Sequence, residues 1–315
     1  MVHPLLVDGG PVRSVVISTD APPFEWIDVG EPDRATLRRL TAEYGLPESA
    51  VQDFLDPQQL PKYEHHGSAV FLILRAHVER MPASAAGVQE LTQPLAIYMA
   101  PGLLLTLHHR DHNALASLRA HYLRNGISDE DADDPASAIL DDLVRTTLRT
   151  FNPPSDALLH DLGRFEESLL TRRINEAGLE QMFIRRRRAS TLATLMRRTR
   201  EVVVRVHGRP AAPDLDDTAE LADTLEFRAH ELLEYANQLI GLQIAVAAHR
   251  TNEVMRLLTL ISVVFLPLTF IVGFYGMNFS LPEFGLAQGH LIAYFLIGAS
   301  VVGAIAWFRR RGWLD

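Results

Sequence analysis

Apolar and polar residues follow three different rhythms along this chain, and the rhythms divide it. In the first half, short runs of branched apolar residues at 12–17, 24–29, 69–77, 94–99 and 103–108 predict strands. Apolar residues at helical spacing predict helices over 33–44, 48–55, 112–123 and 135–150, the last begun by Pro135 in its first turn. This order is neither strict strand–helix alternation nor a Greek key, so a mixed sheet with helices packed on it is expected. Asn152-Pro153-Pro154-Ser155 predicts a break. Beyond it the pattern is helical. Segments 155–175 and 179–207 read as an antiparallel pair, and Gly208-Arg209-Pro210-Ala211-Ala212-Pro213 separates them from a helix over 215–275 that Asp214 can cap.

The third rhythm is the absence of charge. Runs 257–274 and 291–308 carry no Asp, Glu, Lys or Arg, and each is long enough to cross a bilayer. At about 1.5 Å per residue the helix ending at Tyr275 is roughly 90 Å long, against roughly 30 Å of hydrocarbon. It therefore reads as a membrane span with a long cytoplasmic stalk. A lone helix of that length is not a stable rod, so packing through oligomerisation is expected.

Within the first span, steps of three and four residues meet Asn252, Met255, Thr259, Ser262, Leu266, Thr269, Gly273 and Gly276, a row that is mostly polar or small. A parallel row, Leu257, Leu260, Val264, Ile271 and Phe274, is bulky and apolar. Lipid on all sides gives no reason for such sorting. It marks either a tight helix contact or a water-filled path. Pro267 inside the span is tolerable if Thr269 meets the freed carbonyl. The second span has small faces of its own, Ala299 with Gly303 and Ser300 with Ala304, expected to pack on the first span. At the lip of the first span lies Tyr275-Gly276-Met277-Asn278-Phe279. An amide there is costly unless something meets it, and a hydrated ion is the simplest partner.

Charge sets the orientation. Arg250 and Arg256 flank the start of the first span, and Arg309, Arg310 and Arg311 follow the second, while the intervening loop has no Lys or Arg and one acid, Glu283. Both termini are expected in the cytoplasm and the loop outside. The first residues lack a basic region followed by an apolar core, so no cleaved signal is expected. The net charge of −9 must come from the soluble part, because the spans and their flanks are neutral or basic. The absence of cysteine excludes disulfides and thiolate metal sites. No phosphate-binding glycine loop and no nucleophile–base–orienter set appears, so neither a nucleotide-driven pump nor an enzyme is expected.

Asn252-Glu253-Val254-Met255, Leu258-Thr259, Pro267-Leu268-Thr269-Phe270, Gly273, Tyr275-Gly276-Met277-Asn278-Phe279 and Pro282-Glu283 together closely resemble the CorA family of divalent-cation channels. Upstream, Trp26-Ile27-Asp28, Tyr44-Gly45-Leu46, the segment Gln59 to Glu64 and the segment Gly102 to His108 continue the likeness. The resemblance implies a homopentamer in the cell inner membrane, with Mg2+ as the transported and regulatory ion and no cofactor. It implies an α/β cytoplasmic domain at 1–152, a helical hairpin at 153–213, a stalk at 214–256 and a pore-lining span at 257–277. An extracytoplasmic loop at 278–289, a peripheral span at 290–308 and a basic tail at 309–315 follow. Gly276, Met277 and Asn278 would form the selectivity filter, with Glu283 as an outer-loop acid. Thr269 and Gly273 would line the outer pore with Gly276, and Asn252, Met255, Leu258, Thr259, Ser262 and Leu266 the inner pore, with Met255 and Leu258 as its constriction. Asp214, Asp216, Asp217, Glu220 and Asp223 are candidate regulatory metal ligands; an acid-rich first helical turn is the plainer reading of the same cluster. Leu281 stands where many members carry methionine.

Two readings compete with a Mg2+ channel: a Zn2+, Co2+ or Ni2+ transporter of the same fold, and a membrane-anchored sensor that conducts nothing. His108-His109-Arg110-Asp111-His112 invites a metal site, but at a strand end the three rings cannot converge, and a solvated turn is expected. Arg185 to Arg188 with Arg197, Arg198 and Arg200 invite nucleic acid. No aromatics interleave and the chain is acidic, so a solvated face pairing with nearby acids is expected and no nucleic-acid partner.

Overall fold

The computed structural model describes residues 13–20, 23–110, 112–127, 134–171, 176–207, 216–277 and 289–312. The chain divides into two compact units, Met1–Ile240 and Gly241–Asp315.

The first unit is built on a sheet of β1 (Arg13–Asp20), β2 (Pro23–Gly30), β3 (Lys62–His66), β4 (Ala69–His77), β5 (Thr92–Ala100) and β6 (Leu103–His108), in the order β1-β2-β6-β5-β4-β3. Among the described strands only the β2–β6 pair is parallel, so the sheet is mixed as expected. β4 is buried along all nine residues, which fits its near-continuous apolar run. The fifth strand starts at Thr92 rather than at Pro94. Pro94 is tolerated because β6 first pairs at Leu95, so its missing N–H leaves no gap in that ladder. β3 has no apolar alternation to predict it; it is a polar edge strand.

Side chains alternate across the sheet. On one face Ile27, Val29, Phe71, Ile73, Tyr98, Leu105 and Leu107 share a core with α1 (Arg34–Tyr44) and α2 (Glu48–Leu55), through Leu37, Leu40, Ala50 and Phe54. Asp33 caps α1 by accepting from the Thr36 N–H at 2.7 Å. Gly45 ends it at φ 69°, where a side chain would be strained. A short α3 (Val88–Leu91) precedes β5. The second face meets α4 (Asn113–Asn125), where Trp26 meets Tyr122 edge-on at 5.8 Å, and α5 (Pro135–Arg149), whose Ile139, Leu140, Leu143 and Val144 are buried.

Inside β4, Arg75 is 1 % exposed. Its guanidinium donates to Thr92 Oγ1 at 2.6 Å and to the carbonyls of Gln59 at 2.7 Å and Pro57 at 3.1 Å. These bonds meet the requirement for burying a charge, and burial pulls its pKa down to about 10.

The expected break at Asn152 is shorter than its prolines suggest. Only two residues, Thr150 and Phe151, separate α5 from helix α6 (Asn152–Leu170), which has proline in its first turn, where a missing N–H costs nothing. Helix α7 (Glu176–His207) follows, and α8 runs Asp216–Tyr275. The second break, at 208–213, lies outside the described residues. In the first unit α8 buries Thr218, Ala222, Leu225, Ala229, Leu232, Ala236 and Leu239, steps of four and three that form one stripe. Polar ties secure it: Tyr235 donates to Glu166 at 2.5 Å, Arg186 to Asn237 at 2.8 Å, and Arg228 and Arg200 pair with Asp156 and Asp223.

The second unit holds the rest of α8 and α9 (Gly289–Arg310). Both have the length and composition of membrane spans.

Candidate functional site

In α8 beyond Ile240 no residue is buried. From Arg256 onward the half-buried positions are Leu260, Val264, Pro267, Leu268, Ile271 and Tyr275, a single apolar stripe. On α9 they include Ala293, Ile297, Ser300 and Ala304, leading to the buried Phe308. Of the two small faces expected to pack on the first span, the Ser300–Ala304 face is covered, whereas Ala299 and Gly303 are exposed.

The sorted row lies elsewhere. At roughly 100° per residue, Asn252, Met255, Leu258, Thr259, Ser262, Leu266, Thr269 and Gly273 all fall within about 60° of the line opposite the covered stripe. All are exposed: Met255 by 59 %, Leu258 by 58 % and Leu266 by 74 %. The structure thus gathers the candidate pore residues on one face and leaves that face open. The hydroxyls are satisfied within the helix. Thr259 donates to the Met255 carbonyl, Ser262 to that of Leu258 and Thr269 to that of Phe265, each at 2.8 Å. Thr269 therefore does not meet the carbonyl that Pro267 frees, which belongs to Val263. The oxygens keep lone pairs to offer water.

Gly276 ends the helix, its N–H donating to the Val272 carbonyl at 2.9 Å. A Cβ at Gly276 would lie 2.9 Å from that same oxygen, so any side chain would force the turn open. Met277 is exposed. Asn278, Glu283 and Leu281 lie outside the described residues. Phe270, Phe274 and Tyr275 form a ring cluster at this end. At the other end of the unit Arg311 sits over the Trp307 ring at 5.5 Å. Arg256 donates to the Gly312 carbonyl at 3.4 Å. Aromatic and arginine anchors at span ends suit a bilayer's two interfaces.

Of the candidate regulatory acids, Asp223 is committed to Arg200. Asp217 and Glu220 are exposed and border an open cleft with Arg145 and Arg149. Asp214 lies outside the described residues, as does the side chain of Asp216. Among the described residues, no three His, Asp or Glu side chains are grouped to hold a metal within one chain. Next to this cleft lies a buried tie that no local pattern signals. Thr218, at the start of α8, donates to Asp141 of α5 at 2.6 Å, and Arg145 pairs with the same carboxylate. Burial pushes the Asp141 pKa up, only partly offset by Thr218 and Arg145.

The histidine run is not a solvated turn. His108 is 3 % exposed and its Nε2 meets Asp28 Oδ2 at 3.2 Å. Asp28 also accepts from Arg119 at 2.5 Å and from Thr106. Burial raises the Asp28 pKa, but His108, Thr106 and Arg119 outweigh it and hold the carboxyl below its ordinary value. Burial likewise lowers the His108 pKa, and Asp28 overcomes it to leave a net rise. His109 stacks on Phe54 at 4.3 Å, and His112 Nε2 donates to the His77 carbonyl at 2.8 Å. The three rings serve three separate contacts, so they do not form one metal site. Nor do the arginines all pair with acids. Arg188 donates to the carbonyls of Pro82, Ala83 and Ala85, clamping a loop.

A model of the family described as "CorA-like Mg2+ transporter protein" matches residues 23–310. "Cobalt/magnesium transport protein CorA" of Thermotoga maritima is 25 % identical over 315 residues, covering 96 % of this chain and 87 % of its own. "Magnesium transport protein CorA" of Mannheimia succiniciproducens is 27 % identical over 304 residues, covering 92 % of each. Among solved structures, the complete CorA magnesium transporter of Methanocaldococcus jannaschii superposes with a TM-score of 0.75 at 22 % identity, over 92 % of this chain and 91 % of that one. Full-length CmaX superposes with a TM-score of 0.69 at 20 % identity, over 97 % and 90 %. With a mixed-sheet domain, a helix that continues into an apolar span, a second span and a family match over nearly the whole length, the chain belongs to the CorA-like Mg2+ transporter family, a family of membrane transporters and not of enzymes.

Proposed function

We propose that five copies of this chain form a channel that passes hydrated Mg2+ across the cell inner membrane, driven by the membrane potential. The open, hydroxyl-bearing face of α8 carries this reading. It is too apolar at Leu266 and Met255 to face cytosol, and too polar at Thr259, Ser262 and Thr269 to need lipid alone. Copies of α8 gathered around an axis would turn this whole face, apolar members and hydroxyls alike, onto a shared water path. Residues 214–256 would serve as the stalk, 257–277 as the pore-lining span and 290–308 as the peripheral span, with both termini in the cytoplasm.

Mg2+ sheds its inner waters reluctantly, so a filter works best through them. A ring of Asn278 amides, presented by the turn at Gly276 and Met277, would accept hydrogen bonds from those waters. Carboxylates in that position would bind more tightly and release more slowly. Glu283 would raise the local cation concentration without ligating the ion. Met255 and Leu258 would form the inner constriction. A dication crossing 100 mV gains about 4.6 kcal/mol, so no nucleotide is required. Relatives whose names specify magnesium or cobalt transport support this choice of ions.

For gating by cytoplasmic Mg2+, the candidates are Asp214, Asp216, Asp217, Glu220 and Asp223. Exposed and bound to no described neighbour, Asp217 and Glu220 are the members best placed to meet an ion shared with a second copy. The test of the channel reading is ion uptake into liposomes holding the purified protein, with Mg2+ against Zn2+. Wild type should take up Mg2+ and Asn278→Ala should lose most of that uptake. Uptake indifferent to Asn278→Ala would refute the filter, Zn2+ preference would favour the related zinc reading, and no uptake of either would favour the sensor.

A further inference from the structure

Where β4 ends, His77 forms part of a groove bordered by the start of α4, the end of α5 and the first turn of α6. The groove holds about 600 Å3, within the usual small-molecule range. Met81, Pro154 and Ala157 give it an apolar wall, and Glu79 and Arg149 carry its charges. A second cavity of about 50 Å3 adjoins it, sharing His77 and that apolar wall.

His77 is only 8 % exposed. Its backbone is fully used: the N–H donates to Thr150 Oγ1 at 3.0 Å, and the carbonyl accepts from His112. Its ring meets Phe151 edge-on at 6.0 Å, yet among the described residues none hydrogen-bonds either ring nitrogen. With no such partner, the ring nitrogens are left to water or to a ligand in the groove. Burial, then His112 and Arg188, pull its pKa down to about 4. At neutral pH the ring is therefore uncharged and offers one donor and one acceptor.

The surrounding charges select the ligand. His112 and Arg188 disfavour a proton on His77, and the same field disfavours a metal cation. Both are otherwise engaged, His112 with the His77 carbonyl and the Ala114 N–H, Arg188 with the 82–85 loop. Arg149 is exposed and no described residue pairs with it, which leaves its planar fork for a carboxylate. Glu79 accepts from Asn113 at 2.7 Å and opposes a second negative charge. A singly charged anion suits this balance and a polyphosphate does not.

We propose that this groove binds a small organic monocarboxylate, with its charged head on Arg149 and the His77 N–H and its apolar body against Met81, Pro154 and Ala157. The site is separate from the ion pathway. Helix α5 nevertheless carries both Arg149 and the Asp141–Arg145 pair that holds Thr218 of α8, and Arg149 also borders the cleft of Asp217 and Glu220, so an occupant would sit beside the start of the stalk.

The test uses the full-length protein in lipid nanodiscs, with benzoate as probe and neutral benzamide as control, read by calorimetry and by ligand-observed NMR. Benzoate should bind saturably at one site per chain, about tenfold more tightly than benzamide. Arg149→Gln, at an exposed position, should weaken benzoate about tenfold and leave benzamide unchanged. His77→Gln should weaken benzoate as well. Absence of saturable benzoate binding, equal binding of benzamide, or an Arg149→Gln protein that binds like wild type would each overturn the proposal, and none of these outcomes bears on Mg2+ uptake.

Discussion

Helix α8 has two different exteriors. From Thr218 to Leu239 its stripe is buried by its own chain, with Ala and Leu alternating along it. From Gly241 to Tyr275 nothing is buried, and Leu266 and Phe270 stand 74 % and 72 % exposed. Both stretches repeat in threes and fours. The repeat says only that a helix has a face; the residue types say what should cover it. Ala and Leu ask for a packed protein core. Threonine, serine and glycine beside leucine ask for an environment that a single copy in water cannot supply.

The sharpest way to break this contrast is to truncate one large side chain in each half. Leu232→Ala should destabilise the first unit by about 2–5 kcal/mol, because it opens a cavity in a closed stripe. Leu266→Ala, which opens no cavity within the chain, should stay within about 0.5 kcal/mol. Thermal unfolding of the two variants in the same detergent compares them directly.

Acid should act on the first unit by its own route. Folded His77 takes its proton near pH 4, against 6.5 when unfolded. Between those values the unfolded chain binds more protons, so stability falls as pH falls, by about 3 kcal/mol in all. His108 works in the other direction, since its raised pKa gives stability that is present below 6.5 and lost as pH rises through the folded value. Asp28 contributes above its ordinary value of 3.8 and loses that contribution as pH falls through its lowered folded value. Melting curves from pH 4 to 8 should show the acid-side loss shrinking in His77→Asn.

A smaller effect sharpens the comparison at the start of α8. Thr218→Val removes the donor to Asp141 and should cost about 1–3 kcal/mol, seen as faster hydrogen exchange in the first turns of α8. Smallest of all is Ser262→Ala. Among the described residues its hydroxyl bonds only to the Leu258 carbonyl of its own helix, so the melting temperature should barely move while Mg2+ uptake changes.

Much of this was legible in the residues. β4 announces itself by its apolar run, α1 by the helical spacing of its apolar residues, and the sorted face of the span by its spacing. β3 was not legible, because an edge strand made of Lys62, Tyr63, Glu64, His65 and His66 needs no apolar alternation. The α5–α6 junction misled because Pro153 and Pro154 signal both a break and a helix start, and local sequence does not choose between them. The histidine run misled because its partners are distant in sequence: Asp28 lies 80 residues from His108, and Phe54 lies 55 residues from His109. Arg188 and Thr218 found their partners in the same way, through folding rather than neighbourhood.

The absence of native cysteine permits the most direct test of the central claim, that the face of α8 opposite its covered stripe lines a water-filled path. Single cysteines at Ser262, Leu266 and Thr269, and at Val264, Leu268 and Ile271, can be treated with a membrane-impermeant thiol reagent during Mg2+ uptake into liposomes. The first three should react and lose uptake, and the second three should do neither. Equal reactivity of both sets, or block only at Val264, Leu268 and Ile271, would contradict the account.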